Sequence, residues 1–300
     1  MSIIDFLIII INIMLLVILA ISHHNRIFMI MKTHTWFFFF IIIFSNNISG
    51  QNKTFKYDLN YKPNLLKDSL VLEKTILDIK EGSLSIFRTE QEKKSDSLIA
   101  KTGFGFGRKP MLEHQFYIIK KIPDNEVLKS IQTMFREILY IKIDEKLDWT
   151  ILPEKDKIGA FEVQKATLNY GGRNWTAWFA NEIPIQDGPY IFHGLPGLIV
   201  KISDDQNNFI FNLTEIKNLN GEIYYRTKGT EITWDQLKKM SENFYTDPLS
   251  RVKSMGIQFK KDDGLGGTVS VDMKSESERM RKMIRKNNNP VELNHRIDYK

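Results

Sequence analysis

The chain has 300 residues, 42% of them hydrophobic, a net charge of +6 and no cysteine. That length builds one large domain or two small ones. The missing cysteine excludes disulfides, thiolate metal ligands, cysteine nucleophiles and the lipid acceptor of a bacterial lipoprotein. The charge is mild and densest at Arg279, Arg281, Lys282, Arg285 and Lys286. No aromatics interleave those cations, so they read as a solvated basic face and no nucleic-acid partner is expected.

Two apolar runs open the chain, at 6–21 and 36–44. The second is shorter than the roughly 20 residues a membrane-spanning helix needs. It fits the core of a secretory signal, with Lys32 ahead of it and the small residues Ser49 and Gly50 before Gln51. Cleavage is expected after Gly50. Residues 1–28 then read either as translated sequence upstream of a start at Met29 or Met31, or as a membrane anchor. The expected organisation is a leader over 1–50 and a single β-rich domain over 51–300. The expected location is the periplasm or the outer membrane, without a lipidated cysteine.

From residue 55 the dominant period is two. Phe55, Tyr57, Leu59 and Tyr61 alternate with Lys56, Asp58 and Asn60, as in a half-buried strand. Strands follow over 70–79 and 84–89, joined as a hairpin. The charged stretch 90–101 reads as a short helix or an exposed loop. Gly103, Gly105 and Gly107 read as a flexible connection, because no lysine-hydroxyl ending or following helix supports a phosphate loop. Further strands are expected over 114–122, 128–135, 138–143, 147–151, 161–168, 175–179, 198–203, 209–216 and 223–227, with Gly171-Gly172 as a hairpin turn. Helix appears late. Thr233 is a plausible N-cap for 234–243, a short segment spans 249–255, and 274–286 is a charged helix with a thin apolar edge. The fold class is therefore mainly β: a large curved antiparallel sheet, sandwich or partial barrel, with one to three short helices near the C-terminus.

Candidate chemistry is sparse. His114, His193 and His295 have no ligand-spaced partners, so no metal and no cofactor is expected. His193 with Asp187 and Glu182 is the only set from which a hydrolytic site can be drawn, and it lacks a serine nucleophile and an oxyanion-type turn. Residues 175–202 concentrate aromatics among turn-forming glycines and prolines. Trp175, Trp178, Phe179, Tyr190 and Phe192 read first as core; the alternative is a groove, with Tyr190, Phe192 and His193 as candidate ligand-binding residues. Gly188-Pro189 and Leu195-Pro196-Gly197 are turn signals, and Gly197 is expected at positive φ.

The segment Gly194-Leu195-Pro196-Gly197-Leu198-Ile199 resembles the GLPGLI family of Bacteroidota, exported proteins of unknown function. Gly188, Pro189 and Tyr190 upstream, and Asn289-Pro290-Val291-Glu292-Leu293 near the end, are similar to the family's order and close. The resemblance covers roughly 51–293. It implies export and a β-rich fold and assigns no catalytic residues. The functional expectation is a non-enzymatic binding or accessory protein of the envelope, with an apolar, peptide or lipid ligand or an outer-membrane protein as partner. The alternatives are an envelope hydrolase using the acidic residues with His193, and a partner of an outer-membrane receptor.

Overall fold

Alternating apolar residues drive one sheet. The computed structural model describes residues 52–66, 69–80, 83–106, 115–257, 260–262, 264 and 267–300, together with position 11. The expected signal core and cleavage site lie outside the described residues, as does the 1–28 segment apart from position 11.

In chain order the elements are β1 (Lys53–Tyr61), β2 (Val71–Lys80), β3 (Leu84–Thr89), α1 (Glu90–Thr102), β4 (Ile118–Lys121), β5 (Glu126–Gln132) and β6 (Ile138–Lys142). They continue with β7 (Thr150–Ile158), β8 (Phe161–Tyr170), β9 (Arg173–Ala180), β10 (Leu198–Asp204), β11 (Phe209–Asn218) and β12 (Thr230–Glu231). The chain ends with α2 (Trp234–Thr246), α3 (Ser250–Ser254), a small hairpin of β13 (Lys260–Asp262) and β14 (Thr268–Ser270), and α4 (Met273–Lys286). Twelve strands form one open sheet in the order β12–β6–β5–β4–β3–β2–β1–β11–β10–β9–β8–β7. Every pairing in it is antiparallel except the short parallel contact of β12 with β6. The protein is mainly β, as expected, and the sheet does not close into a barrel.

The sheet is strongly curved. Phe55 and Tyr57 of β1, Phe87 of β3, Ile118 of β4, Ala166 and Leu168 of β8, and Trp175 and Phe179 of β9 belong to one buried cluster. Strands seven places apart in the sheet can share a core only if the sheet curls around it. The core is completed by the connection between β9 and β10, residues 181–197, which supplies Tyr190, Ile191, Phe192 and Leu195. This excursion fills the concave face.

Several local expectations are corrected. Residues 90–101 form a helix outside the C-terminal group, because Thr89 and Glu92 make a reciprocal capping box at its start. Gly103 is no slack connector: at φ 78 it caps that helix by donating its backbone N–H to the Ile99 carbonyl. Gly105 packs so closely on Ser95 and Ile99 that a Cβ would lie 2.5–2.8 Å from their side chains. Strand β7 runs on to residue 158, because its charged second half is an exposed edge paired with β8 alone. Residues 223–227 form no strand; they cross the convex face as an extended strap.

Candidate functional site

The excursion 181–197 is held by its own backbone and by buried charges. Gly194 donates to the Gln186 carbonyl at 3.0 Å, Leu198 to Ile183 at 3.1 Å and Ile199 to Asp187 at 3.0 Å. Gly188 packs on the Ile199 side chain, where an added Cβ would lie 2.8 Å away. Gly194 has φ 91, which suits glycine. Gly197 does not have the expected positive φ. It is required by close approach instead, since a Cβ there would lie 2.2 Å from the Ala180 carbonyl oxygen. Tyr190 carries the strained backbone, at φ 53.

Both candidate aromatic residues are in the core. Tyr190 and Phe192 have no solvent exposure. Phe192 is ringed by Trp175 at 4.6 Å, Tyr170 at 6.0 Å and Trp149 at 6.2 Å between centroids. Trp175 and Phe179 are buried beside them, while Trp178 is only partly buried. His193 is partly buried, with Nδ1 2.7 Å from the Ile191 carbonyl and its own carbonyl accepting from Trp149 Nε1 at 2.8 Å. Burial and the nearby Lys120 charge push the His193 imidazole below its ordinary 6.5.

The expected hydrolytic set does not assemble. Glu182 is exposed in a turn. Asp187 is buried, and its carboxylate accepts from Lys120 Nζ and from the Gly188 backbone N–H at 2.7 Å. Asp187 and His193 meet as backbone bridge partners. The side-chain contacts of each lead elsewhere.

Three buried ion pairs surround the segment; of their members the sequence points only to Asp187, as a candidate acid, and to Glu292, within the closing motif. Lys120 on β4 pairs with Asp187 and donates to the Gly188 carbonyl at 2.8 Å. Lys129 on β5 donates to Glu292 at 2.6 Å and to the Tyr190 hydroxyl at 2.9 Å. Glu292 also accepts from Tyr190 at 2.7 Å and Tyr170 at 3.0 Å. Burial pushes the Glu292 carboxyl up, but Lys129 and the two phenols outweigh it and hold it below its ordinary value. Arg173 donates to Asp204 at 2.9 Å, to the Val291 carbonyl at 3.0 Å and to the Pro290 carbonyl at 2.8 Å. Residues 289–292, more than 90 positions downstream, thus clamp the excursion and the Gly171-Gly172 turn. That turn has φ 62 and 75, a two-residue hairpin loop, and Asn294 donates to the Gly171 carbonyl at 3.2 Å.

A second polar network lies on the convex face under α1. Arg88 pairs with Asp78 and Asp96, and Arg226 pairs with Glu92 while its guanidinium stacks 3.9 Å over Tyr117. The Tyr224 carbonyl accepts from Arg88, and Arg226 N–H donates to Tyr117 Oη, which ties the 223–227 strap down. Between α1, the β5–β6 turn and the strap opens a cleft of about 590 Å³, lined among others by Ile99, Arg136, Tyr224, Tyr225 and Lys228. Among the described residues, no group of three or more His, Asp or Glu could hold a metal ion.

The fold and these anchors define an open mainly-β protein whose concave face is plugged by its own chain. Residues 171–201 match a family model described as a protein of unknown function, Porph_ging. That span begins at the Gly171 turn and ends inside β10, so it coincides with the plug and its hairpin. No curated protein matches the chain significantly. Among solved structures the chain is similar to two crystal forms of PNGF-II, in space groups C2 and P21, each at 16% identity with a TM-score of 0.45. The aligned region covers 64% of this chain and 32% or 33% of those, so the chain spans about a third of their length.

Proposed function

We propose that this chain is an exported cell-envelope protein of the GLPGLI family of Bacteroidota, acting as a non-enzymatic binding or accessory protein. The concave face, the natural place for a ligand in a curved sheet, is filled by Tyr190, Phe192 and their neighbours. Binding is assigned instead to the cleft on the convex face, and that cleft is the observation that carries the reading. Its volume of about 590 Å³ falls in the range of roughly 300–1,000 Å³ typical of small-ligand sites. Tyr224, Tyr225 and Ile99 supply apolar surface, while Arg136 and Lys228 stand exposed at its margin. Asp96, the acid in the lining, is already held by Arg88 and Tyr117. The ligand is therefore a partly apolar molecule or peptide with a negative group.

Native mass spectrometry of the protein isolated from its own periplasm tests this. The expected result is a retained ligand lost in Arg136→Glu, on a chain whose N-terminus is Gln51. A ligand-free protein, or a ligand indifferent to Arg136→Glu, contradicts the binding reading. A chain recovered only from the cytoplasm contradicts export.

A further inference from the structure

The turn between β5 and β6 holds an arginine where its geometry favours glycine. Thr133 and Glu137 close the turn: the Thr133 N–H donates to the Glu137 carbonyl at 2.9 Å, and the Arg136 N–H donates to the Thr133 carbonyl at 3.0 Å. Met134, Phe135 and Arg136 remain as the loop. The last position of a three-residue hairpin loop takes a left-handed backbone and is ordinarily glycine. Here it is Arg136, at φ 65. The surroundings hold the strained loop in place. Met134 and Phe135 pack on the buried cluster of Leu249, Val252 and Met280, and the Arg251 guanidinium lies 4.2 Å over the Phe135 ring. Backbone strain that is fixed in this way gathers at ligand clamps.

Arg136 lines the cleft between α1, this turn and the 223–227 strap, and Lys228 lines it from beside the strap. Neither side chain has an ion pair or hydrogen bond within the described residues. The acid next to Arg136 is already taken: Glu137 accepts from Arg251 at 2.8 Å and from Thr133 Oγ1 at 3.1 Å. The other charged groups in the lining are committed too. Asp96 accepts from Arg88 and from Tyr117 Oη, both at 2.7 Å. Arg226 donates to Glu92 at 3.1 Å and to Ser130 Oγ at 3.0 Å. The charge left to meet a ligand is therefore positive and comes from two side chains. Ile99 and Ala100 of α1, Ile138 of β6 and Ile223 of the strap give the cleft its apolar walls.

Resting on the binding role assigned to this cleft above, we propose that Arg136 is its anion-recognising residue and that the ligand is an amphiphile with a single anionic head, carboxylate or phosphate, on an apolar chain. A guanidinium meets either head with two parallel N–H donors, and the aliphatic walls take the chain out of water. A polyanion fits less well, because Lys228 alone is left to meet further charge. Glycine in place of Arg136 removes the guanidinium and relieves the backbone together, so binding and stability should move in opposite directions.

Isothermal titration of the processed, exported protein with decanoate and with decyl phosphate, each below its micelle concentration, tests the proposal. At least one of the two should bind, and the one that does names the head; decanol should bind about tenfold more weakly or worse. Arg136→Gly should weaken the anion by about tenfold or more with the melting temperature unchanged or raised, and Lys228→Gln should weaken it less. Ala100→Trp, which fills the cleft and alters no charge, separates this proposal from the reading beneath it. Binding lost in Ala100→Trp and kept in Arg136→Gly would overturn the role of Arg136 and leave the cleft as a binding site. Decanol bound as tightly as the anions, or neither anion bound while a native ligand is retained, would overturn the ligand class alone. Anion binding that neither variant changes would overturn both.

Discussion

At Gly197 there is no room for one methyl group. The Cβ of an alanine would lie 2.2 Å from the Ala180 carbonyl oxygen and 2.7 Å from its carbon, and backbone cannot step aside as a flexible side chain can. Gly194 presents the opposite case, with φ 91 and open space around the added atom. Gly197→Ala is expected to destabilise by about 3 kcal/mol, the upper range for overpacking, and Gly194→Ala by about 1–2 kcal/mol, the left-handed backbone penalty. Urea unfolding of the two variants checks the order. A smaller loss at Gly197 would show that β9 and β10 can separate freely. Glu292 makes a second prediction at this scale. Its folded value lies below its ordinary 4.5, so it stabilises the fold above about pH 4.5, and this contribution is lost as pH falls through the folded value. Glu292→Gln leaves the Lys129 charge buried and unpaired, at a cost of about 3–5 kcal/mol at neutral pH. The urea midpoint of the wild type should fall more steeply on acidification than that of the variant, and parallel curves would contradict the assignment.

Among the elements, the 181–197 excursion behaves as a plug. Phe192 touches rings from the segment preceding β7 and from β8, β9 and β11, through Trp149, Tyr170, Trp175 and Phe211. Phe192→Ala should cost about 3–5 kcal/mol, whereas Trp178→Ala, on a partly buried position of the neighbouring strand, should cost clearly less; thermal melting compares them directly. The strands were legible in the sequence because one face of each is buried, and period two follows from that. The Gly171-Gly172 turn was legible because two successive positive φ values favour glycine. The polar interior was not. Lys120 and Lys129 alternate with apolar residues as solvent-facing lysines do, and nothing local says that their face is the concave one, covered by a loop 60 positions away. Residues 223–227 look like a strand for a similar reason: Ile223 and Tyr225 do face an apolar cluster, but the strap satisfies its backbone through Arg88 and Tyr117 rather than through a partner strand. In 181–197, core and ligand groove share one composition, and only the curvature of the whole sheet decides between them.

For the whole molecule, the chain closes on itself. Residues 289–292 reach Lys129 on β5, Tyr170 on β8 and Arg173 on β9, and Asn289 donates to the Lys62 carbonyl at 2.6 Å. The sequence signal that singled out both 194–199 and 289–293 was their joint resemblance to one family, and in the fold the second segment holds the excursion that carries the first, through Glu292 and the Tyr190 hydroxyl. The curved sheet is open at both edges, with β7 and β12 at its two ends and not paired to each other. With the inside occupied, the cleft between α1, the β5–β6 turn and the 223–227 strap lies on the outer face. The plug is part of the core rather than a lid over a site. Native-state hydrogen exchange tests it most directly, at the backbone N–H groups of Phe192, Gly194, Leu198 and Ile199, all of which are donors in the structure. They are expected to exchange only by global unfolding, with the same denaturant dependence as the N–H groups of β1 and β11. Exchange of these amides by local opening, well below the global free energy and together with residues 289–293, would contradict the account and make the excursion a gate.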